Sequence, residues 1–156
     1  LFYLLRSRRF DDTALEKMLC ERSGLLGLSG ISGDMRVLQG SADARAVAAV
    51  AHFVYAVTKY VGACACASVP GGLDALVFTA GIGENSAPAR AALCNRLALP
   101  GMKLDAAANS AGDPRISTSD SDVPVWVIPT SEALMIAQHT RALIGPRAGA
   151  SPEVRT

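Results

Sequence analysis

The residues best suited to chemistry lie in three short stretches of this chain. The first is AGIGENS, residues 80–86, set between an apolar run and a helical one. Gly81 and Gly83 leave the backbone bare, so a ligand can approach closely. The following helix start offers unpaired N–H groups and a partial positive charge. In open α/β sheets ligands favour this end of a strand. A tight strand-to-helix turn also needs glycine for steric reasons, so this loop alone does not decide. Two phosphate-binding signatures are excluded. No Gly-Lys-Ser/Thr is present for a Walker A loop. Ser86 stands where a dinucleotide fingerprint wants its third glycine. Glu84 would repel a polyphosphate, so the loop suits a ribose or a base better.

The second stretch is SGISGDMR, residues 29–36, where Asp34 and Arg36 flank Met35. An arginine plane stacks on a base while a carboxylate accepts from sugar or amine groups. A helix N-cap with a surface ion pair accounts for the same residues. The third is VIPTSEALMIA, residues 127–137. Glu132 falls in the first turn of a helix, where the dipole favours a carboxylate; a chemical role requires a cation or phosphate nearby. The two histidines, His52 and His139, sit in ordinary helical sequence, and no Ser-His-Asp or Cys-His set is visible. Cys20, Cys64, Cys66 and Cys94 lack metal-ligand spacing and read as small buried residues of a reducing cytoplasm.

The elements that must position these stretches alternate. Residues 1–9 read as a helix end, and a second helix runs to Arg22, with Asp11, Asp12 or Thr13 as cap and a Thr13–Glu16 capping-box spacing. Gly24 closes it, and a glycine-serine loop is expected over 27–33. Residues 42–68 form the longest periodic segment. Val47, Val50, Val54, Val57 and Val61 mark its apolar stripe, and Arg45, His52 and Lys59 its polar side. The two ionisable residues within the apolar run, His52 and Lys59, argue against a membrane span and for a largely buried core helix. After Pro70-Gly71-Gly72, LDALVFT reads as a buried-type strand, then a helix over about 86–97, a looser stretch, the strand VPVWVI, and a last helix to about Leu143. This order predicts α/β layers with parallel strands. Two strands make a thin sheet, so part of the sheet is expected to be missing. The chain begins with Leu1 in what reads as mid-helix, as if cut from a longer polypeptide.

The 156 residues fit one domain. Fifteen basic against fourteen acidic residues give a formal charge of +1, which provides no global field for nucleic acid or an anionic membrane. The cluster Arg6, Arg8, Arg9 reads as a solvated helix edge.

In this order, SGLLGLSGISGDMR, DALVFTAGIGENS and VIPTSEALMIAQHT resemble the C-terminal part of acetate and propionate kinases. The similarity runs from the start of the chain to about Leu143. It implies an incomplete C-terminal ribonuclease H-like domain of the actin, sugar kinase and Hsp70 superfamily over residues 1–144, with residues 145–156 as a flexible tail. It implies transfer of the γ-phosphoryl of ATP to acetate or a short-chain acyl substrate, with ATP/ADP and Mg²⁺ as cofactors, in a cytoplasmic homodimer. By the family pattern Asp34, Met35 and Arg36 border the adenosine from one side; Gly81, Ile82, Gly83 and Asn85 border it from the other. Glu132 matches the carboxylate associated with Mg²⁺. Ala133 departs from the pattern, which commonly has a second acid there. The groups that bind the acyl substrate and stabilise the transferring phosphoryl lie upstream in the family, so no complete catalytic set is expected here. A non-catalytic adenine-nucleotide-binding module is the alternative, and a nicotinamide-dependent oxidoreductase rests only on Gly81-Ile-Gly83.

Overall fold

The computed structural model describes residues 1–7, 10–68 and 73–145. Arg8, Arg9, the expected Pro70-Gly71-Gly72 turn and the tail from residue 146 lie outside the described residues.

Helices α1 (Phe2–Arg6) and α2 (Asp12–Glu21) open the chain. The cap of α2 is Asp11, whose carboxylate accepts from the Ala14 N–H at 2.7 Å, rather than a Thr13–Glu16 box. Gly24 does not end this helix: with φ +59° it starts α3 (Gly24–Ser29). The first three residues of the expected loop, 27–29, are thus helical, and residues 30–34 remain open before α4 (Met35–Gln39). Composition misleads here because short helices tolerate glycine when their faces pack.

Helix α5 (Ala44–Ser68) is the spine. By length and composition it could cross a membrane. It is not the largely buried helix its apolar content predicts. Ala46, Ala49 and Val54 are buried, whereas Val47, Tyr55 and Tyr60 are exposed. One stripe packs against α3, α4 and α7 (Ala87–Leu97), and small alanines let the backbones approach. Arg45, His52 and Lys59 lie on the exposed side as expected.

Strands β1 (Leu76–Phe78) and β2 (Val125–Val127) pair in parallel, with Val77 opposite Trp126. Phe78, Val125, Val127 and Ile116 form the core with Val54 and Leu93, each such aliphatic side chain contributing about 1.5–3 kcal/mol on burial. The stretch between the strands is more ordered than its Ala, Asn, Ser and Asp content predicts. It holds α8 (Ala106–Ala111) and two antiparallel bridges: Arg115 with Trp126, which covers the outer edge of β2, and Leu104 with Ser117 beyond it. The other edge, at Val77, has no partner among the described residues, and Val77 itself is 48% exposed. A short helix α6 (Ala80–Asn85) follows β1, and α9 (Glu132–Ile144) follows β2.

Three of the cysteines, Cys20, Cys64 and Cys66, are exposed, against expectation; only Cys94 is buried, and burial raises its thiol pKa to about 11. The exposed ones lie on α2 and α5.

Candidate functional site

The cavity of interest lies between α4 and α6. It measures about 660 Å³ and is lined by Asp34, Met35 and Arg36 on one wall and Gly81, Ile82 and Asn85 on the other. Stretches 45 or more residues apart in sequence therefore meet. Gln39 and Ser86 join the walls, the Ser86 hydroxyl donating to Gln39 Oε1 at 2.9 Å.

The first wall follows from helix capping. Asp34 precedes α4, and its carboxylate accepts from the Arg36 backbone N–H at 2.8 Å. The same carboxylate accepts from Arg36 Nη2 at 2.6 Å, and this bond, with the backbone one, lowers its pKa to about 2. The cap and surface ion pair expected as the simpler reading are both present, and they stand on the cavity. Arg36 is thereby tied to Asp34 with most of its side chain in solvent, while Met35, which also lines the cavity, is buried.

The second wall is not a loop. AGIGEN itself winds into α6, starting from Ala80 at φ +58°. Glycine serves two different ends here. At Gly81 an added Cβ would meet nothing within 4 Å, so the chain is bare toward the cavity. At Gly83 it would lie 3.4 Å from the Phe78 carbonyl carbon, so this glycine lets α6 sit on the end of β1. Gly83, expected beside the adenosine, does not line the α4–α6 cavity; with Gly81 and Ile82 it lines a neighbouring apolar cavity of about 560 Å³, whose other walls include Phe53, Val57 and Val77. Asn85 folds back, donating through Nδ2 to the Gly81 carbonyl at 2.9 Å.

Two residues that the sequence did not single out as useful fix this wall. Glu84, awkward beside a phosphate, points elsewhere: its Oε1 accepts from the Thr130 N–H at 2.8 Å and from Thr130 Oγ1 at 2.9 Å. These bonds lower its pKa. Arg90 is 2% exposed. It donates to the carbonyls of Gly83 and Glu84, and to Asn109 through both its side-chain and backbone oxygens. Burial without a facing carboxylate lowers its pKa. The available signal was an arginine set among the alanines of the first half of α7.

Glu132 starts α9 beyond Thr130 and is exposed; it does not line the α4–α6 cavity. Among the described residues no cluster of three or more His, Cys, Asp or Glu forms a metal cage.

The profile of the acetokinase family matches residues 1–138. The chain belongs to that family. It is 50% identical over 144 residues to an acetate kinase from Rhizobium meliloti, covering 92% of this chain and 36% of the relative. It is 47% identical over 151 residues to one from Nitrobacter hamburgensis, covering 97% and 37%. Among solved structures, Porphyromonas gingivalis acetate kinase superposes with a TM-score of 0.78 at 33% identity, over 92% of this chain and 37% of that one. A propionate kinase from Francisella tularensis gives 0.76 at 36% identity, over 88% and 35%. The α/β fold with parallel strands and packed helices is that of these kinases. This chain spans about a third of the length of the relatives it matches.

Proposed function

We propose that this chain supplies the adenosine-binding part of an ATP:acetate phosphotransferase, as residues 1–144 of an incomplete nucleotide-binding domain. The observation that carries the reading is the meeting of Asp34, Met35 and Arg36 with Gly81, Ile82 and Asn85 around one cavity. A flat guanidinium suits the face of a base, a thioether floor suits its edge, and bare backbone at Gly81 admits close approach. In the reaction, a carboxylate oxygen of acetate bonds to the γ-phosphorus of ATP as the bond to the β,γ-bridging oxygen breaks, giving acetyl phosphate and ADP.

Glu132 fits Mg²⁺ as one carboxylate completed by phosphate and water, the usual way this ion is held; with the exposed carboxylate alone there is no all-protein cage. Bound there, the ion would neutralise charge on the phosphates. The acyl pocket and the remaining charge-stabilising groups belong to the length this chain does not span, so the chain alone is inactive. The open edge of β1 and the apolar cavity beside it, bordered by Phe53, Val57 and Val77, support a sheet that other strands complete. Exposed Val47, Tyr55 and Tyr60 on α5 support a homodimer contact, and three exposed free thiols suit the cytoplasm.

The test is a chimera in which residues 1–144 replace the matching part of the Rhizobium meliloti acetate kinase. Acetyl phosphate is expected from ATP and acetate, trapped as its hydroxamate. A folded chimera that forms none overturns the reading, and product from the 156-residue chain alone overturns the division of labour.

A further inference from the structure

Helix α6 is held on three sides, each by a different bond. Ser86 joins it to Gln39 across the cavity. Arg90 holds the carbonyls of Gly83 and Glu84 from beneath. The Glu84 carboxylate takes both the N–H and the hydroxyl of Thr130 on one oxygen. That last contact is the one leading from the cavity wall toward α9. Thr130 stands two residues before Glu132, in the turn between β2 and α9.

This turn has little else to hold it. Residues 128–144 are all exposed. Among the described residues no other side-chain hydrogen bond reaches them. The backbone bond from Ile128 to Phe78 fixes only the start of the turn. A charge-assisted acceptor is stronger and shorter than a neutral one, and an ionised glutamate can satisfy both Thr130 donors at once.

We propose that Glu84 is a positioning residue: by clasping Thr130 it fixes the turn into α9 and so sets where the Glu132 carboxylate stands relative to the α4–α6 cavity. The inference rests on the reading of that cavity and of Glu132 given above, and adds to it a mechanical link between the two. Gly81, Ile82 and Asn85 of α6 line the cavity, and Glu84 of the same helix holds the segment that carries the carboxylate. Small displacements of a reacting group lower rates steeply.

The test uses the chimera, with Glu84→Ala, Glu84→Gln, Thr130→Val and Glu132→Ala. Two quantities are read: steady-state kinetics for ATP, and hydrogen exchange resolved to the Thr130 amide. For Glu84→Ala, kcat is expected to fall about tenfold to a hundredfold, the range seen when partners that orient a ligating group are removed. KM for ATP should stay within about twofold, since adenosine contacts persist. The Thr130 amide should exchange about tenfold faster, having lost its acceptor. Glu84→Gln should restore both readouts to within about threefold, because its amide oxygen still accepts. Thr130→Val keeps the amide bond and should fall between.

Unchanged Thr130 exchange in Glu84→Ala overturns the proposal. So does unchanged kcat in that variant when Glu132→Ala abolishes turnover. If Glu132→Ala turns over normally, the assignment of Glu132 has failed instead, and the exchange rate alone then decides whether the clasp exists.

Discussion

The chain contains one chemical arrangement twice. Asp34-Met35-Arg36 opens α4 and Asp43-Ala44-Arg45 opens α5, each aspartate standing just before its helix. In both, the aspartate accepts from the backbone N–H two residues on at 2.8 Å. In both, it also binds the arginine side chain, at 2.6 Å in the first and 2.9 Å in the second. In both, the arginine bond holds the carboxyl at about 2. What differs is the surroundings. Met35 is buried beneath the first pair, and Gly81 and Asn85 face it across a cavity; Ala44 is exposed beneath the second, and that pair does not line this cavity. An Asp-x-Arg pair is a capping device wherever a helix starts. It becomes a candidate binding wall only when a second element stands opposite.

The comparison can be broken by removing the opposite wall. Arg90→Met should destabilise the fold by about 3 kcal/mol, because it strands the buried carbonyl oxygen of Asn109 and the part-buried ones of Gly83 and Glu84. Chemical denaturation of the chimera measures this. At temperatures where the variant is still folded, α6 is loosened and Asp34 should contribute no more to nucleotide binding than Asp43 does. A smaller effect separates the twins directly. Asp34→Ala and Asp43→Ala each remove a cap and should lower stability by similar amounts. In calorimetric titration with ATP, Asp34→Ala alone should weaken binding, by about tenfold, the value of one charged hydrogen bond. Equal losses from both would show that Asp34 acts only as a cap.

The smallest effect is in acid titration. Each carboxyl titrates near 2 in the folded chain against 3.8 ordinarily. Both caps therefore contribute fully above that ordinary value and lose their contribution as pH falls through about 2. Carboxyl NMR should give matching midpoints for Asp34 and Asp43 in the free protein. Added adenosine should move the Asp34 midpoint and leave that of Asp43 in place.

Sequence patterning located both strands, and residue type flagged the two stretches that meet, because apolar runs and capping aspartates are local signals. Glycine content hid α3 and α6, since a short helix that packs at Gly83 against Phe78 looks like a loop until its neighbour is known. The depth of α5 was overread for the opposite reason. Its apolar content sums over the whole helix, while burial depends on which faces find partners. Glu84, Arg90 and Asn109 were invisible as a set, because their partners lie 6 to 46 residues away and only the folded chain brings them together.

The bare edge of β1 has a consequence for handling the polypeptide. A strand with unpaired backbone groups and an outward valine is a template on which another chain can add, and in this chain the exposed Leu134, Met135 and Ile136 of α9 add sticky surface of their own. Purified by itself at high concentration, the 156-residue chain should therefore self-associate edge to edge. Its solubility depends on whatever covers that edge.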